Sequence, residues 1–407
     1  MRALMFHHNL VREAAAKISG EVNSRGFVAG YAPVRLEDIP EPVPPNEDWV
    51  TCQTLVSGVC GSDAKQIFLN GRRDNPLTAI LSFPHVLGHE AVARRLDTGE
   101  RVVLNPWLSC GPRGIDPPCA ACAEGRYPSC RNFTNGVLPA ALHLGNCAAA
   151  PGAHAERFCA HHGQLFAVPA GMTDEAAVLA DPASVSLRSI LLQPPNPALP
   201  VLVYGSGTLA FAAIALVRHL YPGVEIWAAC RPGPRAAIAT KMGADAVLPT
   251  EPDRLVDEVA RRVGVRPLVP WSKHGWLQDG PGVVYDTIGS TETVETSMRL
   301  LTTGGTLIIS GVEPPGRFEW TSLYFKELHV VGSNAFGVED VRGVRKHAFE
   351  HYFDFVAEGL DLTPVITHRF PLSEWDRAVL TLADVRRTGA IKVLLEPDVN
   401  RPASPLV

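Results

Sequence analysis

The apolar positions change rhythm partway along the chain. Up to about residue 180 they come in short runs between turn residues: Trp49-Val50-Thr51-Cys52, Glu100-Arg101-Val102-Val103-Leu104 and Gln164-Leu165-Phe166-Ala167-Val168. Runs of this length, bounded by Gly and Pro, predict short strands of a mainly antiparallel domain. Beyond Pro194-Pro195-Asn196-Pro197 the texture alternates. Val201 to Tyr204, Val224 to Cys230, Val283 to Asp286 and Thr306 to Ser310 read as strands, and Leu209 to Leu220, Arg235 to Met242 and Thr293 to Leu301 as helices. Such alternation implies βαβ units and a parallel sheet covered by helices. A helix from about Lys346 to Glu358 then leads to strand-like Ile366 to Phe370 and Ala390 to Leu395.

Composition narrows the field. A chain of 407 residues suggests two to three domains, and 46% hydrophobic with 19% charged residues is the composition of a soluble globular protein. A formal charge of −5 argues against nucleic acid as the partner. The longest apolar stretch, Val201 to Val217, is interrupted by Gly205-Ser206-Gly207-Thr208 and is too short for a membrane span. With no secretory signal in the opening residues, the expected location is the cytoplasm, with no membrane partner. In that reducing compartment, nine cysteines suggest metal rather than disulfides.

Val201 to Tyr204 runs into Gly205-Ser206-Gly207-Thr208-Leu209-Ala210 and an apolar helix. Gly205 permits a tight turn, Gly207 lets backbone approach a pyrophosphate, and Ala210 allows close helix–sheet packing. The helix N-terminus offers N–H donors to the anion. At the end of the second strand an NAD site would place a carboxylate for the ribose hydroxyls. This chain has Cys230 there, followed by Arg231 and Arg235. Two guanidinium groups suit a 2′-phosphate, which favours NADP(H) over NAD(H). The alternative is that Arg231 stacks on adenine and Arg235 is a solvated helix residue.

Cys110, Cys119, Cys122 and Cys130 fall in one Pro- and Gly-rich segment. Four thiolates suit a tetrahedral Zn²⁺ with no open position, hence a structural site. An iron–sulfur cluster or free buried thiols are the alternatives. A loop with few apolar residues cannot hold itself by burial, so the metal is expected to supply its folding energy.

Val59-Cys60-Gly61-Ser62-Asp63, Gly88-His89-Glu90 and Leu179-Ala180-Asp181-Pro182 complete the chemistry. Taken with the cysteine lobe and the glycine loop, they resemble the zinc-dependent medium-chain dehydrogenase/reductase superfamily, nearest to its threonine, sorbitol and glucose dehydrogenases. The resemblance extends through Tyr285-Asp286-Thr287-Ile288-Gly289, Gly304-Gly305 and Gly389-Ala390-Ile391-Lys392-Val393. It implies an α/β architecture: a GroES-like, mainly antiparallel β catalytic domain plus a Rossmann domain with a doubly wound parallel sheet. The expected boundaries are 1–190 (with a zinc lobe at 106–132), 191–338 for the Rossmann domain, and 339–407 returning to the catalytic domain.

The resemblance further implies that Cys60 and His89 ligate a catalytic zinc. Glu90 would be a carboxylate able to enter or support the coordination shell, and Asp181 the candidate third position, acting directly or through water. An open zinc position polarises a carbonyl or acidifies an alcohol, with hydride passing to or from the nicotinamide. Ser62 sits where the family keeps a proton-relaying hydroxyl, and Asp63 is expected to orient neighbouring groups. The cofactor-contacting residues would be Gly205, Ser206, Gly207, Thr208, Leu209, Arg231 and Arg235.

Several features depart from the family pattern. Lys65 replaces a common relay histidine, Ala93 replaces a glycine, and the gap from Cys110 to Cys119 is six residues longer than usual. Val265 to Gly282, with Trp271 and Trp276, reads as an added loop for surface packing or a subunit contact. The expected protein is a zinc-dependent alcohol dehydrogenase or carbonyl reductase for a small-molecule, polyol-like or biosynthetic secondary alcohol, assembled as a homodimer or homotetramer. A zinc-free enoyl or quinone reductase, or a non-catalytic NADP(H)-binding protein, stays open as an alternative.

Overall fold

The computed structural model describes residues 1–71, 75–271, 274–311, 313 and 316–398. The chain divides into two compact units, one formed by 1–179 and 366–407, the other by 180–365.

The first unit is built on strand Trp49–Val59, the longest among the described residues. It pairs antiparallel with Glu90–Arg95, Arg157–His161 and Lys392–Glu396, and further strands extend the sheet at Arg101–Leu104, Leu165–Ala167 and Ile366–Pro371. All pairings in this sheet are antiparallel except Ile366–Pro371 with Lys392–Glu396. Trp49, Cys52, Ala91, Val102, Leu104 and Phe158 form one core beneath it. A smaller sheet pairs Arg2–Phe6 with Val34–Asp38 and His85–Val86.

Helix Leu10–Val22, inserted between the first two strands, is not apparent from the apolar rhythm. Its buried side is made of small residues, Ala16 and Gly20. The Phe27 ring lies where a Gly20 side chain would be.

The second unit holds a six-stranded, all-parallel sheet. Its order is Ala246–Leu248, Ile226–Ala229, Val201–Tyr204, Val283–Asp286, Thr306–Ile309, His329–Gly332. Numbered within the unit this is 3-2-1-4-5-6, the doubly wound dinucleotide-binding topology, whose direction reverses beside Val201–Tyr204. All four residues of that strand are buried, as expected where both faces are covered. Helix Thr208–Leu220 is apolar on nearly every side and buries Phe211, Ile214, Leu216 and Val217.

Two expectations shift. The helix expected from about Lys346 to Glu358 runs from Ala348 to Ala357, its first two expected residues belonging instead to a hairpin of Val338–Val341 with Val344–His347. The divisions fall at 179/180 and 365/366 rather than 190/191 and 338/339. The cause is packing: helix Ala180–Leu192 is tied to the hairpin by Arg188–Glu339 (2.8 Å) and to the segment after strand His329–Gly332 by Ser189–Ser333 (2.9 Å). In the added loop, Leu268 bridges Trp276, Trp276 meets the Phe325 ring edge-on at 5.5 Å, and Trp271 is fully exposed. Residues 272 and 273 of that loop lie outside the described residues.

Candidate active site and metal centres

Strand pairing assembles the first site. Gly58 is in register with Glu90, so the residue leaving one strand, Cys60, and the residue entering the other, His89, arrive at the same end of the sheet. Cys60 also begins helix Gly61–Ile67, and its N–H donates to Asp63 Oδ2 at 3.0 Å. One ligand atom from each of Cys60, His89 and Glu90 lies within 4.8 Å of the others.

His89 is held by its surroundings. Nδ1 faces Asp63 Oδ1 at 3.4 Å, and Nε2 lies 3.5 Å from Ser62 Oγ. Asp63 is fully buried between two imidazoles, with His154 Nε2 3.5 Å from its other oxygen, and Ser57 bonds His154 Nδ1 at 2.9 Å. Burial alone would raise the Asp63 carboxyl, but His89 and His154 outweigh it and hold it well below the usual range. Burial likewise opposes charge on His89, yet Asp63 and Cys60 raise it well above its ordinary value. A cation taking its place would release that proton.

Glu90 forms an ion pair with Lys392, both 2% exposed. The pair crosses the face of Gly58, where a Cβ would stand 2.5 Å from Glu90 Oε2 and 2.7 Å from Lys392 Cε. Only glycine leaves room for it. Lys392 Nζ also donates to the Val59 carbonyl at 3.3 Å.

Asp181 belongs to the second unit, buried in the first turn of helix Ala180–Leu192. The Cys60–His89–Glu90 group is formed within the first unit, without Asp181.

Cys110, Cys119, Cys122 and Cys130 also converge within 4.8 Å. The sulfurs of Cys110 and Cys130 are 3.7 Å apart. That is too long for a disulfide and close to the roughly 3.8 Å edge of a tetrahedron with zinc–sulfur bonds of about 2.3 Å. N–H donors already point at the sulfurs: Cys119 N at 3.3 Å and Asn132 Nδ2 at 3.2 Å on Cys110, and Asn132 N at 3.3 Å on Cys130. Soft donors, spacing and outer hydrogen bonds all fit zinc.

The lobe has a second fastener that the sequence reading missed. Arg113, fully buried, donates to five main-chain carbonyls, those of Leu108, Asn135, Leu138, Pro139 and Ala141, at 2.8–3.0 Å. Arg113 lies within the stretched Cys110–Cys119 spacing, so the lobe has a fastening independent of any metal.

In the second unit, Gly205 turns with φ +135°, and a side chain there would stand 2.2 Å from Thr287 Oγ1. Gly207 precedes helix Thr208–Leu220, and a Cβ on it would meet nothing within 4 Å. That is an open cradle at a helix N-terminus, suited to a pyrophosphate. Cys230 is buried and turns its thiol to the Arg231 carbonyl at 3.5 Å. Arg235 donates to the Ser206 carbonyl of the glycine turn. Burial and the neighbouring Arg231 charge both lower its affinity for its proton.

Three further residues emerged only from the fold: His154 behind Asp63, Lys392 behind Glu90, and His143, whose ring lies 4.6 Å from that of His89. Lys392 sits in the motif Ala390-Ile391-Lys392-Val393, where a lysine inside an apolar strand was a visible signal of a buried partner.

Comparison with known proteins agrees with this fold. An alcohol dehydrogenase GroES-like domain matches residues 46–170, and a zinc-binding dehydrogenase domain matches 209–356. Sorbitol dehydrogenase of Bacillus subtilis is 23% identical over 377 residues, covering 90% of this chain and 94% of that protein. An alcohol dehydrogenase from Escherichia coli CFT073 complexed with NADH superposes with a TM-score of 0.70 at 20% identity, over 97% of this chain and 99% of the other. A zinc-binding dehydrogenase from Sinorhizobium meliloti 1021 bound to NADP gives 0.65 at 23% identity, over 89% and 95%. Among the described residues, no helix is long and apolar enough to cross a membrane. With its antiparallel GroES-like unit, its 3-2-1-4-5-6 sheet and these matched domains, the chain belongs to the zinc-type medium-chain dehydrogenase/reductase family, as an oxidoreductase of the alcohol dehydrogenase kind.

Proposed function

We propose that this NAD(P)-linked alcohol oxidoreductase is zinc-dependent, with a catalytic ion held by Cys60 and His89 and a structural ion held by Cys110, Cys119, Cys122 and Cys130. The convergence of a thiol, an imidazole and a carboxylate at one sheet end carries this reading. Asp181 enters as third ligand through its place in the family's motif alone. Bound there, zinc would act as a Lewis acid toward a hydroxyl or carbonyl oxygen, while the nicotinamide would accept or give hydride.

The chain's own residues do the rest. Asp63 keeps a proton on the Nδ1 side of His89, leaving Nε2 as the donor to a metal. Ser62 Oγ, beside that Nε2, can pass the alcohol proton outward. Lys392 neutralises Glu90, so this carboxylate supports the site electrostatically and competes poorly for direct ligation. Arg231 and Arg235 support NADP(H) over NAD(H), since no carboxylate stands at Cys230 to repel a 2′-phosphate.

The proposed substrate is a polyol-like secondary alcohol or its ketone, supported by the likeness to sorbitol dehydrogenase. The outermost strand His329–Gly332 is largely exposed, and Trp320, Tyr324 and Phe325 are exposed in the same unit, which supports a homo-oligomer. Nine free cysteines agree with a cytoplasmic setting.

Metal analysis tests the core of the proposal. Wild type is expected to hold about two zinc ions per chain. Cys60→Ser should lose one of them, together with at least about 100-fold in kcat/KM on polyols and their ketones. Full activity in Cys60→Ser would remove the Lewis-acid mechanism, and a preference for NAD(H) over NADP(H) would remove the role given to Arg231 and Arg235.

A further inference from the structure

The ring of His89 has three sides to account for. Nδ1 faces Asp63 and Nε2 faces Ser62. Its face is covered by His143, at 4.6 Å between ring centroids and tilted by 41°. His143 comes from the segment following the four-cysteine lobe, within the GroES-like match at 46–170 but apart from the short motifs that carry the ligands.

That segment is built to hold one ring still. His143 Nδ1 donates to the Leu144 carbonyl at 2.5 Å, and His143 Nε2 accepts from Asn146 Nδ2 at 3.2 Å. Both nitrogens are thereby occupied. Asn146 is buried, and its Oδ1 takes the N–H groups of Leu142 and His143 at 3.2 and 3.1 Å. The backbone of His143 bridges Trp107, whose ring stands edge-on to His143 at 5.9 Å. Hydrogen bonds within the segment thus fix the imidazole before it meets His89.

We propose that His143 is a positioning residue for the catalytic metal site: its immobilised ring packs on the face of His89 and stops that ring from turning about its Cβ–Cγ bond. The Asp63 contact alone leaves this rotation free, because 3.4 Å is too long to fix a ring plane. With His143 in place, Nε2 is directed at one point, that shared with Cys60.

The inference rests on Cys60 and His89 being metal ligands, so its test separates the two ideas. Wild type, His143→Ala and His143→Phe are loaded with Co²⁺ in place of zinc. The visible ligand-field spectrum is recorded, and metal release to a chelator is timed. His143→Ala is expected to shift the ligand-field bands and to release the active-site ion about tenfold faster, at the lower end of outer-shell effects. His143→Phe keeps a ring on His89 but loses both hydrogen bonds that hold it, and should fall between wild type and His143→Ala. Retention of the lobe's ion in all three proteins shows that the segment is still folded, since the Trp107 bridge uses only backbone. If His143→Ala gives the wild-type spectrum and release rate, the positioning role is overturned while the metal assignment stands. If wild type takes up only the lobe's ion, the metal assignment itself fails.

Discussion

Replacing Lys392 by Met tests how the candidate site is held together. The substitution keeps the aliphatic bulk and deletes one charge of a pair in which both members are 2% exposed. At that exposure solvent has little access to Glu90 to take over the lost contact. Two unit charges about 4 Å apart at an effective dielectric of about 20 attract by roughly 4 kcal/mol. Breaking one side of a buried pair costs about 3–5 kcal/mol, because the remaining charge stays buried. Lys392→Met should therefore cost about 4 kcal/mol. Glu90→Gln should cost a similar amount by stranding the ammonium beside the Val59 carbonyl. The double variant has no charge left to strand, so it should be destabilised by far less than the sum, with a coupling of at least about 2 kcal/mol.

Because the chain has two units, whole-protein melting would mix their transitions. The assay is amide exchange in strands Trp49–Val59 and Glu90–Arg95 under increasing urea, on metal-loaded protein. A cost below about 1 kcal/mol for Lys392→Met, or single effects that simply add in the double variant, would refute this account of the pair.

Two other perturbations follow from the same structure. Arg113→Met strips the donor from five carbonyls, of which those of Leu108, Leu138 and Ala141 are buried, at about 1–3 kcal/mol for each buried one left unsatisfied. It should make residues 106–147 protease-sensitive even with zinc present, and a protected lobe in that variant would show that the metal suffices. His85, packed on Phe6 and Phe83, is lowered to about 4, chiefly by burial. Its contribution is complete above its unfolded value of 6.5 and is lost as pH falls from there to about 4, because the unfolded chain takes up the proton first. That amounts to about 3 kcal/mol. His85→Gln should flatten this part of the stability–pH curve, and an unchanged slope would place the acid sensitivity elsewhere.

Local patterns made much of this molecule legible. A four-residue apolar run followed by Gly205-Ser206-Gly207 can be read without a structure, because a buried parallel strand, a tight turn and a helix N-terminus each demand particular residues of the backbone. Four cysteines within 21 positions declare a metal lobe for the same reason: their spacing is a local property. Helix Leu10–Val22 was missed because its buried face is made of Ala16 and Gly20 and carries no apolar rhythm.

Only the tertiary structure decided which residues stand behind those that could be named. Lys392 reaches Glu90 across 302 positions, His154 reaches Asp63 across 91, and His143 meets His89 from a segment with no motif of its own. Arg113 is an unremarkable loop arginine in the sequence and a five-carbonyl hub in the fold. The physical reason is common to all four. A ligand is chosen by its own chemistry, which residue type reveals, whereas its support is chosen by what strand pairing and burial bring within about 3–5 Å, which residue type alone does not.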